Sequence, residues 1–160
     1  HIAFYMTHFY KHHLTNEIMK FISMCGDFGM SWLIVILITN MIDQTRTMSI
    51  DMLIALIAAT LIGQVTIKSL VRRKRPCHTY PEVQLLITTP SDLSFPSGHT
   101  TSSFACSTVM MLYNPILGII GYIYAILTAI SRLYLFVHYL SDVVTGVILG
   151  ITIGIITYLL

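Results

Sequence analysis

The chain has 160 residues, which is about the length of one domain. Only 10% of the residues are charged and 55% are hydrophobic, and the mean hydropathy is +0.77, whereas ordinary soluble domains carry roughly 25% charged residues. This composition excludes a disordered chain, and three widely spaced cysteines are too few for a disulfide scaffold. A formal net charge of +2 gives no indication of nucleic-acid binding. The composition indicates a protein surrounded by lipid.

The first 21 residues predict an amphipathic helix. Aromatic and aliphatic side chains recur there at steps of three to five residues among histidines and lysines. Such a helix is suited to the membrane interface, but the same pattern fits an ordinary packing helix, and the sequence leaves both open.

Five apolar runs follow, at residues 28–42, 51–70, 99–113, 116–130 and 143–160. They approach the roughly 20 residues that a membrane span needs. Residues 71–98 hold four of the five prolines and therefore predict a large loop, which we expect to form an active-site region. Only helices or closed barrels satisfy the backbone in lipid, and these runs are too long for barrel strands. We predict an all-α integral membrane bundle of about five transmembrane helices, forming a single domain over residues 1–160.

A stripe of glycines marks the last apolar run. Gly146, Gly150 and Gly154 are four residues apart and fall on one face of a helix. Small residues at this spacing allow close helix packing. The stripe could pack inside the bundle or join two copies of the chain as a homo-oligomer.

The densest basic segment has the sequence KSLVRRKRP. Lys68 and Arg75 are seven residues apart, so one helix would place them on nearly the same face, with Arg72 between them. Both cations would then point in one direction at the membrane boundary. For Arg73 and Lys74 we predict contact with anionic lipid headgroups.

The segment FPSGHTTSSF predicts a tight approach to a new helix that begins near His99. The first backbone N–H groups of such a helix favour an anion, and Gly98 lets a ligand approach the backbone. His99 would lie beside the anion, where it can donate or accept a proton. A simple capping turn with an interfacial histidine is the alternative.

A third polar segment, SRLYLFVHYLSD, lies between the last two apolar runs. His138 and Asp142 are four residues apart, so on a helix the carboxylate can hold one ring nitrogen and leave the other as a nucleophile or base. Arg132 adds a fork for phosphate. Such residues beside membrane segments are usually functional, although a structural His–Asp pair is the alternative.

The predicted helix order brings these three segments to one membrane face. Together they supply cations, two imidazoles and a helix N-terminus, which suits a tetrahedral dianion. The sequence contains no HExxH motif or Cys/His ligand grouping, and its carboxylates are too dispersed for a two-metal site. We therefore expect no metal or other cofactor.

The order and spacing of the three segments also match a known signature. The matching residues are Lys68 with Arg75-Pro76, then Pro96-Ser97-Gly98-His99, then Ser131-Arg132 with His138 and Asp142. In these positions the chain resembles the type 2 phosphatidic acid phosphatase family, and the resemblance covers roughly residues 16–160. The first transmembrane helix of the usual six-helix members is absent or replaced by the amphipathic segment.

The resemblance implies a role for each site residue. His138 would be the nucleophile and form a phosphohistidine, Asp142 would orient it, and His99 would protonate the leaving oxygen and then activate water. The residues that would hold the phosphoryl oxygens are Lys68, Arg75, Ser97, Gly98 and Arg132. In the long loop, Tyr80, Glu82 and Asp92 could also touch the headgroup.

The family resemblance allows several lipid phosphates as substrate: phosphatidic acid, phosphatidylglycerophosphate, undecaprenyl diphosphate or the phosphates of lipid A. We favour a prenyl diphosphate or phosphatidylglycerophosphate in a bacterial membrane, because the short chain leaves little room for a headgroup domain. The bilayer and its lipid phosphate are the expected partners, with no nucleic acid. A phosphotransferase with the same residues, and a non-catalytic lipid-phosphate binder or transporter, are the alternatives.

The side of the membrane that carries the site is predicted differently by two arguments. In the five-span arrangement eight of the nine basic residues lie on the site face and only Arg46 on the other, which predicts a cytoplasmic site. Bacterial members of the family usually place it outside. We follow the resemblance, because the loops opposite the site are too short to carry many charges, and expect an extracytoplasmic site in the inner membrane.

Overall fold

We describe the fold from a computed structural model, which covers Tyr10 and residues 12–160, the side chain of Phe28 excepted. Every regular element in this part of the chain is helical. In chain order the elements are α1 (His13–Cys25), a 3₁₀ turn (Asp27–Gly29), α2 (Met30–Asn40), a 3₁₀ turn (Asp43–Thr45), α3 (Arg46–Ala59), a π-helix (Thr60–Ile67), α4 (Lys68–Val71), α5 (Pro76–Thr79), α6 (Gly98–Tyr113), α7 (Pro115–Tyr134) and α8 (Leu140–Leu159). The predicted all-α fold is confirmed.

The five apolar runs lie mainly in helices. Among the described residues, three segments are long and apolar enough to cross it: Asp43–Thr79, Pro115–Tyr134 and Leu140–Leu159. Helices α1 and α2, bent by 60° at their junction, would form a fourth span as a pair. Large apolar side chains such as Leu33, Ile57 and Ile120 are exposed on the outside, as contact with lipid requires. The protein is a membrane protein, and the total of five spans stays a prediction.

Helix α6 lies at the centre of the bundle. Its most extensive contacts are with α7 and α8, and it also packs on α3. Many of its residues are Ser or Thr, yet nearly all are buried. Several of these hydroxyl groups donate to a carbonyl one turn earlier, as Thr101 does to Ser97 O at 2.9 Å and Thr108 to Phe104 O at 2.7 Å. A helix that satisfies its own hydroxyls can be buried in a bundle without other polar partners.

The glycine stripe of α8 packs against α6. A Cβ atom added at Gly146, Gly150 or Gly154 would lie 3.0, 2.5 or 2.7 Å, respectively, from a backbone carbonyl oxygen at the start of α6 or within it. Side chains at these positions would hold the two helices apart. Of the two uses that the sequence left open, packing inside the bundle is the one that the structure shows, so this stripe is not available to a second copy of the chain.

The predicted N-terminal amphipathic helix lies partly outside the described residues, which exclude residues 1–9 and Lys11. Its remainder forms α1, which contacts α7; the Tyr134 hydroxyl donates to Asn16 Oδ1 at 2.6 Å. The other side of α1 exposes Leu14 and Phe21. The helix therefore packs on the bundle along one side, and its position in the membrane interface stays a prediction.

We expect Gly150→Ala to destabilise the bundle. The new Cβ would lie 2.5 Å from the carbonyl oxygen of Thr101, and backbone atoms cannot move aside cheaply. Overpacking of this kind costs about 1–3 kcal/mol. The measurement is the apparent melting temperature of purified protein in one detergent. Ile148→Ala, at a side chain that is 62% exposed on the same helix, is the control. Equal melting temperatures for the two variants would contradict this packing.

Candidate active site

A cavity of about 1130 Å³ opens at the end of the bundle where α7 ends and α6 and α8 begin. Its wall combines the end of α1, part of α3 and the π-helix, and residues 85–92 of the long loop. The predicted site residues that line it are Lys68, Arg75, Gly98, His99, Arg132 and His138. The other two, Ser97 and Asp142, are buried and do not line it. Both imidazoles therefore face one cavity.

Lys68 and Arg75 meet, but not on one helix face as their spacing predicted. The helix ends before Arg72, whose φ of 51° is left-handed, and Arg75 is extended with ψ of 155°. Extended backbone is expected there because Pro76 follows. The reversed chain brings both cations to one carboxylate: Lys68 Nζ donates to Asp92 Oδ2 at 2.6 Å and Arg75 Nη2 to Asp92 Oδ1 at 2.7 Å.

The π-helix before Lys68 places Gln64 in the cavity wall, against Gly98. A Cβ on Gly98 would lie 1.7 Å from Gln64 Nε2, so only glycine admits the amide here. π-helices are often found at functional sites. The sequence analysis missed Gln64. Its position four residues before Lys68, about one helical turn, could have indicated that both residues face the same way.

His138 and Asp142 meet at the start of α8 rather than within one helix as predicted. His138 precedes the helix, and Asp142 lies in its first turn. Nδ1 of His138 is 3.5 Å from Asp142 Oδ2, and Nε2 is 2.9 Å from Arg75 Nη1. Because a guanidinium group can only donate, Nε2 carries the lone pair and Nδ1 the proton.

The protonation of His138 follows from its surroundings. Burial lowers the pKa of the His138 imidazole to about 3, although the Asp142 carboxylate acts in the opposite direction. The ring is therefore neutral near neutral pH, and its unprotonated Nε2 accepts from Arg75 at the wall of the cavity. A neutral imidazole held in this way can act as a nucleophile.

The carboxylate of Asp142 is fully buried and accepts hydrogen bonds from three segments. The donors are the Tyr139 N–H at 2.9 Å, Arg73 Nη1 at 2.9 Å and the Ser94 hydroxyl. Arg73 also lies over the Tyr139 ring, 4.0 Å from its centre. The sequence analysis assigned Arg73 to lipid headgroups, and the structure corrects this: Arg73 holds the partner of His138. Nothing in the run RRKR distinguishes Arg73 from its neighbours.

His99 has a carboxylate partner of its own. Its Nε2 lies 2.9 Å from Asp27 Oδ1, in the 3₁₀ turn between α1 and α2. A Cβ on Gly26 would lie 2.6 Å from His99 Cδ2, so glycine lets this turn approach the ring. The sequence analysis gave neither Gly26 nor Asp27 a role at the site. The Gly-Asp pair tends to break a helix and could have indicated a turn at this position.

Arg132 and Ser97 occupy different places around the cavity. Arg132 Nη1 donates to the Ser23 hydroxyl, and its buried Nε has no hydrogen-bond partner among the described residues. Ser97 precedes the first residue of α6; its hydroxyl accepts from Thr100 at 2.9 Å and its N–H donates to Asp142 O at 3.1 Å. Arg132 therefore keeps a donor for a ligand, whereas Ser97 joins α6 to α8.

The charges in the cavity favour an anion. Lys68, Arg75 and Arg132 are all buried, and Asp92 supplies one carboxylate between the first two. Burial alone would raise the pKa of Asp92, but the hydrogen bond from Lys68 and the charge of Arg75 outweigh it and lower the pKa to about 2. Of the three loop residues suggested to touch a headgroup, Asp92 lines the cavity, and Tyr80 and Glu82 do not.

The cavity also has an apolar side. It is formed by side chains from α1, α3 and the long loop, namely Met24, Leu56, Leu85, Leu86 and Ile87. In residues 12–160 no group of three or more His, Cys, Asp or Glu side chains is placed to hold a metal ion. The arrangement can hold a tetrahedral anion on its cations, present it to a nucleophilic imidazole and accommodate an apolar group beside it.

Comparison with known proteins gives consistent matches. Residues 49–160 match the family model of the PAP2 superfamily. The chain is 42% identical over 100 residues to decaprenylphosphoryl-5-phosphoribose phosphatase of Mycobacterium tuberculosis, covering 56% of this chain and 49% of that protein. It is 32% identical over 136 residues to undecaprenyl-diphosphatase of Sulfolobus acidocaldarius, covering 84% of this chain and 65% of that protein. The chain thus spans about half to two thirds of the length of these relatives.

A solved structure has the same fold. The transmembrane PAP2-type phosphatidylglycerolphosphate phosphatase of Bacillus subtilis superposes with a TM-score of 0.75 and 26% sequence identity. The superposition covers 92% of this chain and 77% of that chain.

We expect Arg73→Gln to destabilise the protein more than Arg72→Gln does. Loss of the Arg73 guanidinium leaves the buried Asp142 carboxylate without its charged donor, which costs about 1–2 kcal/mol because two other donors remain. Arg72 is exposed, and its side chain donates to the Ser69 carbonyl in its own turn. The measurement is the apparent melting temperature of each variant. If both shifted it equally, the role of Arg73 would be wrong.

Proposed function

The chain belongs to the PAP2 superfamily, and we propose that it is a membrane lipid phosphatase that hydrolyses a phosphomonoester or diphosphate headgroup through a phosphohistidine, without a metal ion. One observation carries the proposal. A neutral, buried His138, whose unprotonated Nε2 accepts from Arg75, lines a cavity that three buried cations make favourable for an anion, and apolar side chains line the same cavity.

We propose that His138 attacks phosphorus in the first step. The Nε2 lone pair forms the N–P bond while the bond from phosphorus to the leaving oxygen breaks. His99 gives its proton to that oxygen, so the lipid alcohol or lipid phosphate leaves in a protonated form. Asp142 faces the proton on Nδ1 of His138 and stabilises the positive charge that the ring gains.

The second step releases phosphate. His99, now unprotonated, takes a proton from a water molecule whose oxygen attacks phosphorus, and the N–P bond breaks. Inorganic phosphate leaves and the His138 lone pair is restored. Asp27 holds the His99 ring through its Nε2 contact and offsets the positive charge of the protonated ring. Two displacements replace one difficult attack by water on the substrate.

We propose Lys68, Arg75 and Arg132 as the groups that bind the phosphoryl oxygens, with help from Gly98. The transferred group carries charge on three equatorial oxygens, and donors fixed in advance stabilise that charge best. Buried side chains meet this requirement, because their positions are set by packing. Ser97 contributes by holding the N-terminus of α6 against α8.

A polyprenyl phosphate or diphosphate is the substrate class we favour. The relatives from Mycobacterium tuberculosis and Sulfolobus acidocaldarius are named for decaprenyl and undecaprenyl lipids, and the apolar side of the cavity suits a long hydrocarbon chain. Phosphatidylglycerophosphate is the second candidate, because the superposed Bacillus subtilis structure is named for it. The proposed catalytic domain comprises residues 1–160, with residues 71–98 as the active-site loop region and residues 1–21 at the membrane interface.

The direct test is phosphate release by purified protein in the presence of a chelator. A panel of undecaprenyl diphosphate, phosphatidylglycerophosphate, phosphatidic acid and lipid A phosphates ranks the substrates. We expect His138→Ala to lower kcat by at least about a thousandfold, since it removes the nucleophile. His78→Ala is the matched control, because His78 is exposed and does not line the cavity.

Two further measurements separate the proposal from its alternatives. A rapid acid-free quench with ³²P-labelled substrate should leave an acid-labile phosphoenzyme in the wild type and none in His138→Ala. Normal turnover in His138→Ala would disprove the nucleophile assignment. Transfer of the label to an added lipid alcohol in preference to water would identify a phosphotransferase, and binding without turnover would identify a lipid-phosphate binder or transporter.

We propose that the protein lies in the bacterial inner membrane with its site on the extracytoplasmic face. Helix α8 begins beside the cavity, so its C-terminal end lies at the opposite end of the bundle. A reporter fused after Leu160 should therefore be cytoplasmic. We expect a fluorescent green fluorescent protein fusion and an inactive alkaline phosphatase fusion at this position. The reverse pattern would place the site in the cytoplasm, as the count of basic residues predicts.

A further inference from the structure

Asp92 occupies the donors that the proposed phosphoryl group needs. Its two carboxylate oxygens each accept from a different cation, Lys68 at 2.6 Å and Arg75 at 2.7 Å. Both cations are buried, with side chains that are 8% and 4% exposed, whereas the Asp92 side chain is 53% exposed at the cavity. A carboxylate and a phosphoryl group present similar oxygens, so the two compete for the same N–H groups.

Arg75 does not need the Asp92 carboxylate to stay in place. Its Nε donates to the backbone carbonyl of Asp92 at 3.0 Å, and its Nη1 donates to the backbone carbonyl of Val137 at 2.9 Å. These two bonds fix the plane of the guanidinium group. The carboxylate therefore adds a negative charge to a cation whose position is already set.

The loop that carries Asp92 is otherwise weakly attached. Among the described residues, the backbone groups of residues 84–93 make no hydrogen bond to other backbone groups. The loop is tied to the bundle at Ser94, whose N–H donates to Arg73 O at 2.8 Å, and through Asp92 itself. Residues 85–92 form one wall of the cavity. Displacement of the carboxylate would remove one of these attachments and leave the bond from Arg75 Nε to the Asp92 carbonyl.

We propose that Asp92 is an internal competitor of the substrate: its carboxylate holds Lys68 and Arg75 until a phosphoryl group displaces it, and the exchange removes one attachment of the loop that walls the cavity. A phosphoryl dianion carries more charge than one carboxylate and can reach Arg132 as well, so it wins the exchange. Asp92 thereby weakens the apparent binding of any anion that competes with it for Lys68 and Arg75. This inference rests on the proposed function, because it assigns the phosphoryl group to these cations.

The test is inhibition by orthovanadate, which mimics the five-coordinate phosphorus of the transition state for phosphoryl transfer. The inhibition constant is measured together with KM and kcat. Asp92→Asn keeps the shape and the backbone bond to Arg75 but removes the competing charge. We expect the vanadate inhibition constant and KM to fall by about twofold to fivefold, since an exposed charge pair changes an affinity by up to about that ratio. Asp92→Ala should shift both in the same direction.

Glu82→Gln is the matched control, because Glu82 is an exposed acid in the same loop that does not line the cavity. An unchanged or raised inhibition constant in Asp92→Asn and Asp92→Ala would overturn the inference, because a residue that only positions the cations would weaken vanadate binding when removed. A wild type that neither releases phosphate nor binds vanadate would instead refute the proposed function. A wild type with normal turnover and no shift in the variants refutes this inference alone.

Discussion

The buried carboxylate of Asp142 is the point on which the rest of the site depends. It accepts from Arg73 in the basic segment, from Ser94 before α6 and from the backbone at the start of α8. A buried carboxylate is costly unless its oxygens are hydrogen-bonded, so these donors cannot be lost independently. Three segments that are far apart in sequence are thereby held at one end of the bundle. His138 lies beside that carboxylate, with Nδ1 3.5 Å from Asp142 Oδ2.

Close helix packing makes this meeting of segments possible. The glycine stripe on α8 lets it approach the backbone of α6, and the two helices begin next to each other, since Ser97 N–H donates to Asp142 O. One helix start carries His99 and the other carries the partner of His138. Packing in the middle of the bundle therefore decides the geometry at its end. Small residues here serve the site as much as they serve the fold.

The sequence could predict which residues form the site more fully than how they meet. The apolar runs predicted the helical bundle because lipid leaves the backbone few options, and the three motifs predicted residues that the structure gathers around one cavity. Their local geometry was predicted wrongly where a helix period was extended across its boundary: Lys68 and Arg75 meet through a chain reversal, and His138 precedes the helix that holds Asp142. Periodicity describes the interior of a helix and carries no information on how the chain runs beyond its ends.

The acidic partners of the site residues share a physical role, and the sequence predicted the pairing of Asp142 but not those of Asp27 and Asp92. Asp27, Asp92 and Asp142 each lie against a histidine or a pair of cations that would otherwise be buried without compensation. Charged groups at the end of an apolar bundle are costly, so each one needs a partner that comes from elsewhere in the chain. Two of these carboxylates face imidazoles, whereas Asp92 faces the cations that an anion needs. A carboxylate that stabilises a buried cation also competes with any anionic ligand for that cation. Asp92 lowers the cost of burying Lys68 and Arg75, and for the same reason a phosphoryl group has to displace it in order to bind them.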